Sequence, residues 1–321
     1  MAFCEGAVMR YFKRQEASVQ GFERWTGVRT APGSGLVGAR LSGRRLWRNR
    51  SRTILIGAAV AITLFPVLWI LEEIFRRGGS AMSWEFITSS TPFSVMKSGG
   101  GFLNGLVGTG MMVGLAAAIS IPLGTMAAVY LVEYGKNNWL AKVIRFFSDV
   151  MTGVPSIFVG IFIYTILVKP EQFTYSALAG AAALAIIMMP IIVRSSEEML
   201  KLVPNELRDA SYALGAAKWQ TVIKVVLPAA APGMTTGISL AIARAGGETA
   251  PLIVTILGTL HLSTSLFGPN TALPLLIYTQ AGQAAEAAQA RAWAGALELL
   301  AIVLVFTIVA RVMSSRSRIS Q

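Results

Sequence analysis

Two ionisable residues stand four apart in a stretch that otherwise carries no charge: Arg244 and Glu248, with Gly246 and Gly247 between them. On a continuous helix this spacing puts both on one face, one turn apart. A guanidinium offers paired N–H donors that suit a tetrahedral oxyanion, and a carboxylate one turn away holds that guanidinium when no anion is present. The two glycines thin the helix, so that a substrate approaches the backbone. The same pair is equally readable as a static ion pair that neutralises itself. Arg194 follows Pro190 in another apolar stretch and reads either as a cytoplasmic-side anion contact or as a positively charged membrane anchor. Catalytic residues and metal ligands are not expected, because the chain has one His (His261) and one Cys (Cys4).

These residues need elements that hold them in a non-aqueous setting, and the composition supplies that setting. Of 321 residues, 54% are hydrophobic and 14% are charged, against about 25% charged in a typical soluble domain. A soluble enzyme and a largely disordered chain are excluded. Charge-poor windows fall at 53–71, 102–131, 150–168, 172–193, 225–243 and 292–310. About 20 apolar residues are needed to cross a hydrocarbon core of about 30 Å, so the expectation is an all-α, polytopic membrane protein with six transmembrane helices. Pro122, Pro155, Pro190 and Pro251 are expected to kink or end helices. Gly105, Gly108, Gly110 and Gly114 are expected to serve close helix packing, the last two as a GxxxG pair. Asp149 and Glu298 are placed near span ends, paired or wetted, Asp149 beside a possible inner gate. Ser239, Thr249 and Thr255 are further possible donors in a pore.

The net charge of +12 gives orientation rather than nucleic-acid binding. Residues 1–52 hold 11 basic and 3 acidic side chains, and 22 of the 28 Lys and Arg fall in that tail, the links after the second and fourth windows, or the C-terminus. Positive charge marks the cytoplasmic side, so both termini are expected in the cytoplasm. The domains expected are a basic, flexible cytoplasmic tail over 1–52 in contact with anionic membrane lipid, a permease domain over 53–313, and a short C-terminal tail over 314–321. The stretch 27–43, rich in Gly and Ser, reads as linker, and Cys4 as a free thiol.

The link 197–228 is polar yet keeps helical periodicity. Pro204 suits a first helical turn, Leu207, Ala210, Ser211 and Leu214 share a face, and Gly215 suits a left-handed cap. A second short helix is expected through Trp219, Val222 and Ile223 to Leu227 and Pro228. Its balanced charge and its tethering between two spans favour docking to a cytoplasmic partner over DNA reading.

The run Asp209-Ala210-Ser211, then Gly215, then Leu227-Pro228, resembles the EAA signature of ABC-importer permeases, EAA-x3-G-x9-I-x-LP, with Asp for Glu, Ser for the second Ala and Val for Ile. The wider text, MMPIIVRSSEEMLKLVPNELRDASYALGAAKW at 188–219 and IARAGGETAPLIVT at 242–255, is similar to the phosphate-import branch of that family. The resemblance covers about 53–313. It implies a type I, MetI-like permease fold in a bacterial cytoplasmic membrane, coupled to an ATPase through Asp209, Ala210, Ser211, Tyr212, Leu214, Gly215, Leu227 and Pro228. It also implies four partners in all: a related second permease (PstC-type), an ATPase dimer (PstB-type) carrying ATP and Mg, and an extracytoplasmic phosphate-binding protein (PstS-type). No cofactor is expected on this chain, which lacks a G-x-x-x-x-G-K-[ST] loop; Gly135-Lys136-Asn137 is the nearest fragment. Arg244, Glu248 and Arg194 become the expected phosphate path. Other oxyanions or organic phosphorus compounds remain alternative cargoes, and an ion-coupled secondary carrier is the alternative of another class, although no internal repeat supports it.

Overall fold

The computed structural model describes residues 43–135, 138–170 and 174–319. Residues 1–42 of the expected tail, including Cys4 and nearly all of the Gly- and Ser-rich stretch, lie outside the described residues, as do Lys136 and Gln172. The chain divides into two compact units between Val67 and Leu68.

The first helix, α1 (Gly43–Glu73), straddles that division. It begins ten residues before the apolar window, so residues 43–52 are helical. In the first unit its side chains from Ile54 to Val67 are exposed all round. A helix apolar on every face belongs in lipid or against other helices rather than in water. In the second unit α1 continues through a π-helical turn, Ile74–Gly78. Gly78 lies so close to the carbonyl of Trp293 that an added Cβ would sit 2.6 Å from its oxygen.

Beyond α1, the second unit contains a short helix α2 (Trp84–Thr88) and the long α3 (Leu103–Val129), which ends in the π-helical turn Tyr130–Gly135. Next come α4 (Trp139–Gly153), α5 (Ser156–Ile163, extended to Val168) and α6 (Ala177–Lys201). The short helix α7 (Asn205–Ala213) leads to α8 (Lys218–Thr221), which runs through the π-helical turn Val222–Val226 into α9 (Leu227–Gly246). The chain closes with α10 (Ala250–Thr255), α11 (Leu273–Ala281) and α12 (Glu286–Ile319). Among the described residues there is one isolated β-bridge, Leu257 with Asn270, and no strand.

Among the described residues, five helices are long and apolar enough to cross a membrane: Asn49–Ala81, Leu103–Gly135, Ala177–Lys201, Lys218–Gly246 and Glu286–Val309. The sixth expected span, 150–168, is not one helix. Trp139–Gly153 and Ser156–Val168 meet at 109°. The cause is Pro155: it has no N–H to continue the ladder and forces Val154 into an extended conformation (ψ 127°). Ser156–Val168 alone has 13 residues, about 20 Å of helix, so the sixth candidate span is the bent pair taken together. Preceding it, α4 is amphipathic: Trp139, Phe146 and Phe147 are exposed and Ala141 is buried. It has the character of a helix lying along a membrane surface.

Helix α6 is the axis of the bundle. Ala177, Ala179, Ala181, Ala183 and Ala185 are all buried, and their small side chains let α3, α5, α9 and α10 close around it. Leu184, Met188 and Ile192 fill the centre with Met112 of α3 and Leu252 of α10.

The glycine expectation holds for one half of α3 only. Gly105 abuts Leu273 and Leu276, and Gly108 abuts Thr271. Gly110 and Gly114 pack against nothing, since an added Cβ at either would have no atom within 4 Å. They line an apolar cavity of about 340 Å³ with Ile242, Gly246, Ile302 and Phe306. The glycines that do bring helices together are others, such as Gly160, where a Cβ would lie 2.6 Å from Pro251 Cα.

Gly160→Ala is therefore expected to destabilise the purified protein by about 1–3 kcal/mol, while Gly110→Ala and Gly114→Ala stay within about 0.5 kcal/mol of the parent. Thermal unfolding in one detergent, followed by intrinsic fluorescence, checks the contrast; equal midpoints for the Gly160 and Gly110 variants would refute it.

Candidate functional site

Arg244 and Glu248 do form an ion pair, Nε to Oε1 at 3.3 Å, but not on one continuous helix. Helix α9 stops at Gly246. The chain turns through Gly247, the Glu248 amide donates to the Ala245 carbonyl at 3.2 Å, and α10 begins at Ala250. Pro251 sits in the first turn of α10, where its missing N–H costs nothing, rather than inside a kinked span. The turn folds Glu248 back onto Arg244. The Arg244 side chain keeps 55% of its surface accessible, against 15% for Glu248. It also occupies the last turn of α9, where the helix dipole favours a cation. Gly246 leaves open space where a Cβ would stand.

Arg244 borders a cleft of about 20 Å³, with Met151, Thr152 and Ser156 from the α4–α5 corner and Pro190 from α6. This is room for about one water, so the cleft is shut to a phosphate-sized anion in this conformation. The same corner meets Arg194: its Nη1 lies 3.4 Å from Asp149 Oδ1, and its Nε lies 3.8 Å from Glu198 Oε1. The expected path residues Arg244 and Arg194 thus flank one bend of the chain, the first beside Met151 and Thr152, the second beside Asp149. Ser239 and Thr255 spend their hydroxyls on carbonyls of their own helices, at Thr235 and Pro251.

The second cluster faces away from the spans. Helix α7 leaves Leu207, Asp209, Ala210, Tyr212 and Ala213 exposed, and Leu214 is 90% exposed at its tip. Gly215 takes φ +83°, the left-handed conformation that turns the chain back. Ser211 is half-buried and its Oγ lies 2.9 Å from Thr221 Oγ1. Leu227 packs against a cluster formed by Ala128, Leu200, Val226 and Ala230. The expected second short helix is instead the start of a span: Lys218–Gly246 is a continuous 29-residue helix that carries Pro228 inside it. The wide turn Val222–Val226 just before Pro228 accommodates a residue that would clash in regular α-winding.

Two ion pairs and one lone acid escaped the sequence. Arg208 pairs with Glu133 at 2.9 Å and Arg145 with Glu197 at 2.8 Å, each across a long sequence separation. Glu298 is neither near a span end nor wetted: it is 4% exposed in the interior of α12, and both carboxylate oxygens are buried with no hydrogen-bond partner. Its position in an uncharged window hid this, because hydropathy does not say which face of the helix turns inward. On the opposite edge, Arg291 is 3% exposed and donates to the carbonyls of Val95, Lys97 and Gly99 and to Gln280 Oε1.

The family model for binding-protein-dependent transport system inner membrane components matches residues 120–319. The chain is 43% identical over 279 residues to the phosphate transport system permease protein PstA of Yersinia pestis, covering 86% of this chain and 94% of that one. It is 40% identical over 272 residues to the protein of the same name from Haemophilus influenzae, covering 84% and 95%. Among solved structures, a bacterial alginate ABC transporter bound to its periplasmic protein gives a TM-score of 0.62 at 16% identity, over 85% of this chain and 98% of that one. An inward-facing MetNI methionine ABC transporter gives 0.53 at 19% identity, over 74% and 99%. At these identities the structural likeness speaks for the fold alone, a MetI-like permease fold.

Proposed function

We propose, from the premise that the chain belongs to the binding-protein-dependent transport system inner membrane component family, that it is a permease subunit of an ATP-driven phosphate importer. It is a multi-pass membrane protein, and hydrolysis of ATP belongs to a separate chain. The observation that carries the phosphate assignment is 43% identity over 86% of this chain to a phosphate permease. The finer assignments follow from it. The membrane is the bacterial inner membrane. The second permease is PstC-type, the ATPase dimer with its ATP and Mg is PstB-type, and the extracytoplasmic protein that delivers phosphate is PstS-type.

The substrate path runs past Arg244 and Arg194. In the shut conformation Glu248 satisfies Arg244, so the cation is not left bare at a cost of about 2.5–3.5 kcal/mol. When the α4–α5 corner moves away from Pro190, the half-exposed guanidinium exchanges its carboxylate for phosphate oxygens, with paired N–H donors in one plane. Arg194, freed from Asp149, takes the anion on the cytoplasmic side. No bond of the substrate is made or broken. The driving motion enters through α7, whose exposed Leu207 and Leu214 fit an apolar groove on the ATPase.

Arg244→Gln should reduce phosphate uptake into proteoliposomes at least about tenfold, because charge-assisted hydrogen bonds to the anion are lost, with the complex still assembled. Unchanged uptake would make Arg244 and Glu248 a static ion pair. Arg194→Lys keeps the charge but loses the planar fork, and uptake should fall by about three- to tenfold; parent-like uptake would leave Arg194 an anchor. Competition with other oxyanions in the same assay tests the cargo. Leu214→Asp should leave the fold within about 0.5 kcal/mol of the parent, its side chain being exposed, yet abolish recovery of the ATPase in a detergent pull-down; full recovery would remove Leu214 from the contact.

A further inference from the structure

Helix α7 has no fully buried side chain, so apolar packing is not what fastens it to the spans. Apart from the Ser211–Thr221 hydrogen bond to α8, a single guanidinium does that. Arg208 Nε and Nη2 donate to Glu133 Oε1 at 3.1 and 2.9 Å. Nη2 also donates to the Leu200 carbonyl at 3.0 Å, and Nη1 donates to the Val203 carbonyl at 2.6 Å and to Asn205 Oδ1 at 3.2 Å. The two charged side chains are 12% and 7% exposed. Glu133 lies in the π-helical turn that ends α3, and Leu200 in the last turn of α6. One planar group therefore ties α7 to the cytoplasmic ends of two membrane helices.

A second arginine grips the same two ends. Arg145 of α4 donates to Glu197 Oε1 on α6 at 2.8 Å, and to the Leu131 carbonyl in the turn that holds Glu133 at 3.1 Å. Lys201 completes the surroundings of Glu197 at 2.7 Å. The far end of α4 is the corner that meets Arg194 through Asp149 and Arg244 through Met151 and Thr152.

Resting on the coupling role given to α7 above, we propose that Arg208 is the positioning residue through which displacement of α7 reaches the α4–α5 corner. Arg208 holds the Tyr130–Gly135 turn and the C-terminal turn of α6 to α7, and Arg145 carries their movement into α4. Rigidity is what the geometry demands. Five donors in one plane fix Arg208 to three elements at once, whereas a lysine in its place would offer a point charge on a flexible stem. Removing either member of a buried pair leaves the other charge uncompensated. The separate Ser211–Thr221 bond keeps α7 attached to α8 when Arg208 is replaced.

The test uses the whole transporter, with its ATPase, second permease and binding protein, in proteoliposomes. Cys4→Ser removes the only native thiol, and Gly153→Cys places a reporter at the end of α4, where a Cβ meets no atom within 4 Å. Maleimide labelling is measured with and without a non-hydrolysable ATP analogue. The expected result is a nucleotide-dependent change in labelling rate in the parent and a change at least about fivefold smaller in Arg208→Gln, with ATPase binding and hydrolysis retained. Arg208→Lys should fall between the two. A parent-like response in Arg208→Gln overturns the proposal, as does loss of the ATPase from that complex, or labelling in the parent that ignores nucleotide. If Arg208→Gln does not accumulate, Glu133→Gln, which leaves the surface of α7 intact, takes its place with the same outcomes. Phosphate is not measured, so a wrong cargo leaves the test standing. A parent that fails to bind an ATPase defeats the coupling role itself and the proposal with it.

Discussion

An uncompensated charge in hydrocarbon costs several kcal/mol, and four arginines of this chain meet that cost by pairing with a carboxylate. Arg145 with Glu197, Arg208 with Glu133, Arg194 with Asp149 and Arg244 with Glu248 are all ion pairs in the second unit. They differ in accessibility. The pairs of Arg208 and Arg145 place their carboxylates at 7% and 1% exposure. The pairs of Arg194 and Arg244 leave both guanidinium groups half-exposed. The first kind joins helix to helix and resists change. The second kind can exchange one oxygen anion for another. A fixed frame carrying a labile contact is what an importer with no chemistry of its own requires.

Much of this was legible as length and spacing. Five straight spans and the bent sixth follow from charge-poor windows, because the bilayer sets a minimum run of apolar residues. The EAA-like text and Gly215 located the left-handed turn after α7, because such a cap leaves a glycine behind as its mark. The exposed aspect of α7 was legible in part: of the expected face Leu207, Ala210, Ser211 and Leu214, all but Ser211 are exposed, and Ser211 is half-buried against Thr221.

What could not be read was whatever depends on partners far along the chain. Pro155 was legible as a kink or an end to a helix, but the size of the bend, 109°, was not. Glu133 and Arg208 are separated by 75 residues in sequence, so no local period connects them. Gly110 and Gly114 have the spacing of a packing motif yet face a cavity. Arg244 and Glu248 were correctly matched for the wrong local reason: the i and i+4 spacing survives, but a turn after Gly246 supplies the contact that a continuous helix was expected to supply.

The wide turn at Val222–Val226 bears on how strictly the chain must keep its length. Such a turn amounts to one residue slipped into an otherwise regular α-helix. Removing a single residue there would keep the register of the segment beyond, down to Arg244, but would bring Pro228 into regular α-winding, where its ring meets the carbonyl four residues back. The same deletion between Asn205 and Gly215 has no such slack to consume and would swing Leu214 off its face. Between Gly215 and Arg244 the one place where a residue could go without loss of register is thus guarded by Pro228, and everything on either side of it must hold count.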